Sequence, residues 1–168
     1  MTEILILLLF PALMAYAACS DLVSMTISNR VCLTIVAAFF IVAPALGLPL
    51  AAMAWHVAAG VLVLFITFAM FSAGWIGGGD AKLAAATALW LGWDKLFDYG
   101  VYGGIYGGAL TLALLMFRTM PLPHFTLGAK WLLNLHHPKT GVPYGIALAA
   151  AGLTAYSGSP LWSIAVSH

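Results

Sequence analysis

The run AAMAWHVAAGVLVLFITFAMFSA at positions 51–73 holds 23 residues without one charged side chain. At about 1.5 Å of rise per residue, such a helix matches a hydrocarbon core roughly 30 Å thick. Amides in hydrocarbon must be satisfied within their own segment, so the run is a helix and not an open strand. Toward the N-terminus, Gly47-Leu48-Pro49 makes a tight turn. Before it lie an apolar span at 31–46, a polar stretch at 24–30 and a first span at 4–18 that ends at Ser20-Asp21. Toward the C-terminus, a glycine-rich break at 74–79 leads to a short span at 80–93, a polar patch at 94–98 and a fifth span at 99–117. The longest loop, 118–141, precedes a last span at 142–156. The fourth span is shorter than a bilayer core, so it must tilt, run past Asp94 or sit where the membrane thins. The pattern predicts an all-α, polytopic membrane helix bundle with about six transmembrane helices, forming a single domain over 1–168.

Composition supports this. The chain is 64% hydrophobic and 7% charged, against about a quarter charged in soluble domains. In water its apolar surface would cost roughly 25 cal/mol per Å². A net charge of +1 provides no basic surface, which excludes nucleic acid as a partner. Cys19 and Cys32 form no CxxC pair for zinc or redox chemistry. Tyr16-Ala17-Ala18-Cys19 faintly resembles a lipoprotein cleavage box, but an opening with acidic Glu3 is unlike a signal peptide, and the first segment is read as a retained helix.

On this map Arg30, Lys82, Arg118, Lys130 and Lys139 share one side and Lys95 stands alone on the other. The positive-inside rule puts the first group in the cytosol and both termini outside. Asp21 and Asp80 then both fall at the cytosolic ends of their spans. Of the five acids, Glu3 is terminal, and Asp94 and Asp98 share a polar turn with Lys95. Asp21 and Asp80 adjoin apolar helices, where an ionised carboxylate is costly without a partner or water. Each alone is as readily a helix cap; two at one depth suggest chemistry. Two neighbouring carboxyls share one proton near neutral pH. The ionised member can take a proton from water while the neutral one hydrogen-bonds a scissile carbonyl. No Ser or Cys forms a recognisable nucleophilic motif with His.

Gly77, Gly78 and Gly79 immediately precede Asp80. Glycine allows close backbone approach, so a substrate strand can lie there, though small residues also serve helix packing. Asp80 would begin the next helix, whose positive dipole end favours a carboxylate. Lys82 either snorkels to headgroups or attracts an acidic group of the substrate and tunes a neighbouring Asp.

Three patches carry a family resemblance. They are Asp21-Leu22-Val23-Ser24-Met25-Thr26-Ile27-Ser28-Asn29, Gly77-Gly78-Gly79-Asp80-Ala81-Lys82 and Val142-Pro143-Tyr144-Gly145-Ile146-Ala147-Leu148. In this order they resemble the type IV prepilin peptidases, membrane aspartic proteases of the GxGD class, and the chain is similar to short forms associated with tight-adherence (Flp) pilus systems. The resemblance implies an enzyme of the bacterial inner membrane that cuts the basic leader from prepilin-like subunits at the cytosolic face. The cut falls after a glycine and before the subunit's hydrophobic helix. It also implies Asp21 and Asp80 as the catalytic pair, Gly77, Gly78, Gly79 and Lys82 as substrate-binding residues, and no metal or cofactor. Ser28 stands where the family usually has proline, which puts the backbone of that loop in question. Longer members carry a cytosolic insert with paired cysteines and methylate the new N-terminus; neither feature is present, so peptidase activity without methyl transfer is expected.

Several features are secondary. Adjacent histidines such as His136-His137 rarely face one ion on a helix. The stretch 125–135, in a loop that also holds His124, is expected to lie along the membrane surface with Trp131 at the headgroups, as substrate guide or plain connector. His56 is expected to hydrogen-bond within the bundle. Gly100, Gly103, Gly104, Gly107 and Gly108 are expected to mark close helix packing. A different class stays open: a small ion- or proton-coupled transporter using Asp21 and Asp80, although no internal repeat supports it. A third is a non-catalytic membrane scaffold that has kept the fold.

Overall fold

The computed structural model describes residues 2–122 and 128–167. His124 and Phe125 fall outside the described residues. The described chain is all helix: α1 Thr2–Ser24, α2 Asn29–Ala45, α3 Leu50–Ser72, α4 Gly78–Thr119, α5 Lys130–His136, α6 Tyr144–Tyr156 and α7 Pro160–Ser167. Leu7–Ser24 within α1, α3 and α4 are long and apolar enough to cross a membrane, and α2 and α6 are shorter apolar helices. Large side chains such as Phe65, Ile41 and Leu112 lie exposed on the outside of the bundle, as lipid contact requires.

The boundaries differ from the hydropathy pattern in instructive ways. α1 runs past Ala18 through Asp21, so that acid sits inside a helix instead of after it. It stops at Met25, whose φ of 54° is left-handed. The hydroxyl of Ser24 donates to the Ser20 carbonyl at 2.7 Å and has the Thr26 carbonyl in reach at 3.1 Å, tying the short connection down. Ser28 then caps α2, with Oγ accepting from the Val31 amide. Its φ of −69° is the angle proline would impose, so serine here leaves the loop backbone unchanged.

The expected fourth and fifth spans are joined in α4, which breaks only at Gly92, with φ 66° and ψ −173°. Residues 94–98 are helical rather than a turn, and Lys95 pairs with Asp98 at 3.0 Å. The break reverses the chain. Thr87, before it, packs at Gly152 of α6, while Gly103 and Gly107, after it, pack at Leu148 and Tyr144. Helix α6 therefore runs with the first segment of α4 and against the second. The reversal orphans carbonyls at the end of the first segment. His56 Nδ1 donates to one of them, Leu89 O, at 2.8 Å. A Cβ on Gly92 would lie 2.8 Å from the His56 ring, so the backbone angle and the histidine both require glycine.

An aromatic cluster lies within a mainly aliphatic core. Phe10 stacks on Trp90 at 5.0 Å and meets Tyr156 at 4.6 Å, and Trp90 Nε1 donates to Ile35 O at 2.9 Å. Arg118, read in the sequence only as a topological charge, closes the opposite end. Its Nε donates to Leu135 O, and Nη2 to Thr140 O and Gly141 O. That fork ties α5 and the approach to α6 onto the end of α4.

Candidate functional site

The connection between α1 and α2 is wedged between the two glycine-bearing helix starts. Ile27 is buried. A Cβ on Gly79 would meet Ile27 Cβ at 3.2 Å, and one on Gly145 would meet Ile27 Cδ1 at 2.7 Å. Only glycines at both places let this loop seat, and its seating brings the ends of α1, α4 and α6 together.

Asp21 is 4% exposed, and its Oδ2 accepts from the Gly145 amide at 2.7 Å. Pro143, the cap residue of α6, has no side-chain acceptor for the orphan amides of the first turn. Asp21 supplies that acceptor from another helix, and the positive end of α6 favours its charge. Asp80 is half-buried in the first turn of α4, where its carboxylate lies against its own cap residue, with Oδ2 2.8 Å from the position of a Cβ on Gly77. That is the reach-back of a third helical residue to its own cap. The two carboxylates line one cavity of about 1190 Å³. Asp21 is thus held by one backbone amide and Asp80 by its place at the start of α4, in a pocket able to admit water and a peptide segment.

The glycine run also lines the cavity. Its Cβ sides are occupied within the molecule: Gly77 by the Asp80 carboxylate, Gly78 by the Phe71 ring and Gly79 by Ile27. Lys82 is not brought to the pair. Two helical positions from Asp80 is a rotation of about 200°, and its ammonium lies on the far face of α4, donating to Asn29 Oδ1 at 2.8 Å. His136 accompanies Met120 O at 2.9 Å, away from the cavity, and His137 Nδ1 accepts from the Lys139 amide. Among the described residues, no three His, Cys, Asp or Glu side chains form a metal-ligating group.

Three features of the site were not assigned a role by residue type. Gly145 stood in a quoted patch without its partner, Asp21, being legible. Tyr99 reaches the cavity from the second segment of α4, with a buried hydroxyl that makes no hydrogen bond of normal geometry. The glycines of that segment divide into two faces. Gly103 and Gly107 are buried against α6, whereas Gly100 and Gly104, which line the cavity together with Gly103, are exposed and have no atom within 4 Å of a Cβ position.

An apolar helix bundle that closes a cavity around two carboxylates has the makings of a membrane-embedded hydrolase, and the comparison with family models gives the class: a membrane peptidase. The chain belongs to the type IV leader peptidase family, whose model matches residues 8–129. The match covers both Asp21 and Asp80 and ends before Gly145. No curated protein and no solved structure matches the chain.

Proposed function

We propose that the chain is an aspartic endopeptidase that removes the leader of prepilin-like subunits, with Asp21 and Asp80 as its catalytic pair. The supporting observation is that these two acids, 59 positions apart in sequence, line one cavity, Asp21 held by the Gly145 amide and Asp80 placed in the first turn of α4. In the reaction, one carboxylate takes a proton from a water molecule whose oxygen attacks the scissile carbonyl carbon. The other, protonated, donates to the carbonyl oxygen, giving a gem-diol. Transfer of a proton to the amide nitrogen then lets the C–N bond break, and no covalent enzyme intermediate forms.

The substrate's apolar helix lies against the open face of Gly100 and Gly104, since small residues let helix backbones approach closely. The leader side passes the cavity-facing backbone of Gly77, Gly78 and Gly79, while Lys82 holds the start of α2 through Asn29. Arg118 and Lys82 gather at the end of the bundle that carries the pair, and Lys95 lies at the other, beside Gly158. By the positive-inside rule this supports a cytosolic site in a bacterial inner membrane and a bundle of about six crossings, with α4 crossing twice.

The test is cleavage of a prepilin-type substrate by the purified chain and by Asp21→Asn and Asp80→Asn. Loss in both variants, with helical content and detergent monodispersity unchanged, is expected. Parental cleavage by either variant overturns the pair.

A further inference from the structure

A second cavity, of about 460 Å³, lies on the face of α4 turned away from Asp80. Val36 and Phe40 of α2 form one wall and Val57 and Val61 of α3 the other, above a floor that includes Leu89. The floor is closed because Gly60 lets α3 come down onto α4: a Cβ there would be 3.2 Å from Leu89 Cβ and 3.3 Å from Ala85 O. One end alone is polar, where Asn29 and Lys82 line it. Lys82 is exposed and meets no carboxylate; the one ion pair among the described residues is Lys95 with Asp98. From Lys82 to Leu89 the groove follows about two turns of helix, roughly 10 Å.

We infer that this groove is a binding site for one anionic phospholipid, with the headgroup phosphate on Lys82 and Asn29 and an acyl chain between α2 and α3. Charge complementarity selects this occupant. The groove offers a single cation at one end and continuous apolar surface beyond it, which is the inverse of an amphiphile with one negative head and one chain. A zwitterionic lipid fills the same groove but brings its own cation to the headgroup, so Lys82 gives it less. A transmembrane substrate has the open glycine face of the larger cavity, on the opposite side of the first segment of α4. The lipid head would bridge the start of α2 to α4 two residues after Asp80, on the elements that seat Ile27.

The experiment is native mass spectrometry of the full detergent-purified chain with equimolar phosphatidylglycerol and phosphatidylcholine. The parent is expected to retain phosphatidylglycerol over phosphatidylcholine by about fivefold, the worth of one lysine near a phosphate surface. Lys82→Gln should bring the ratio near one, and Lys82→Arg should keep it. Val61→Phe, which fills the groove and leaves Lys82 in place, should lose bound phosphatidylglycerol. Retained preference in Lys82→Gln overturns the headgroup assignment. An equal fall in Lys139→Gln, a remote exposed cation, shows diffuse surface charge and also overturns it. Undiminished lipid in Val61→Phe overturns the groove as the seat. A dimer that Val61→Phe dissociates, without any lipid peak in the parent, would assign the groove to a second copy instead. The Arg and Phe variants decide the matter even if Lys82→Gln does not fold.

Discussion

The amide of Gly145 donates to Oδ2 of Asp21 at 2.7 Å, and no methyl group fits between them: a Cβ on Gly145 would stand 2.8 Å from that same oxygen. A carboxylate of α1 therefore completes the first turn of α6, and the fold and the proposed chemistry depend on one contact. Gly145→Ala should displace the Asp21 carboxylate and push back Ile27. The expected cost is about 1–3 kcal/mol of stability, as for other overpacked sites, with a fall in cleavage larger than the unfolded fraction explains. Thermal unfolding and cleavage measured on the same preparation check this, and a parental cleavage rate in Gly145→Ala would sink it.

The two acids should act as one unit. An asparagine at position 21 still offers an oxygen to the Gly145 amide, so Asp21→Asn keeps the α6 cap while losing proton transfer. A positioned acid or base is worth about 10²- to 10⁴-fold. Each single variant should fall by at least that much, and the double variant Asp21→Asn/Asp80→Asn should be little worse than either alone, because groups in one mechanism are not additive. Multiplicative losses in the double variant would mean that the two residues work separately.

Much of the architecture was legible because lipid leaves the backbone few choices. Five acids in 168 residues made Asp21 and Asp80 stand out, and the glycines before Asp80 marked a helix start. What hydropathy missed were decisions made by distant partners. Polar residues at 94–98 drew the turn toward themselves, whereas the reversal is a single residue, Gly92, set by its backbone angle and by a His56 ring 36 positions upstream. Five glycines of α4 read as one packing motif, yet about 60° of helical rotation separates the stripe buried on α6, Gly103 and Gly107, from the exposed stripe at the cavity, Gly100 and Gly104. Lys82 looked like a neighbour of Asp80 because it is close in sequence, but the helical rotation carries it to the other side.

The division of those glycines predicts opposite phenotypes at adjacent turns. Gly104→Leu adds bulk only to the open face and should lower cleavage by about tenfold or more, the scale of a lost substrate contact of about 1.4 kcal/mol, with thermal stability near parental. Gly107→Ala places a methyl on the Tyr144 ring and should lower stability first. If Gly104→Leu cleaves normally, the substrate helix does not use that face.

Ser28→Pro is expected to be nearly silent. The serine already holds φ −69°, and its cap bond to the Val31 amide is long at 3.4 Å. Removing unfolded-state freedom contributes about 0.4–1 kcal/mol where the backbone is compatible, which offsets the weak cap. Denaturation midpoints should agree within about 1 kcal/mol and cleavage should be unchanged; a large loss would show that the Ser28 hydroxyl holds the Ile27 loop.

Gly92→Ala and His56→Ala test the reversal from its two sides. Alanine at 92 meets both a positive φ and the His56 ring, and strain of this kind costs of order 1–3 kcal/mol. His56→Ala removes the clash but leaves the Leu89 carbonyl without its donor, an orphan worth about 1–3 kcal/mol. The double variant should therefore lose less than the sum of the singles, since the steric part of the Gly92→Ala cost disappears with the ring. Unfolding of the four proteins in one detergent gives the coupling directly. Strict additivity would mean that Gly92 is required for its backbone angle alone and that His56 has no part in setting where α4 turns back.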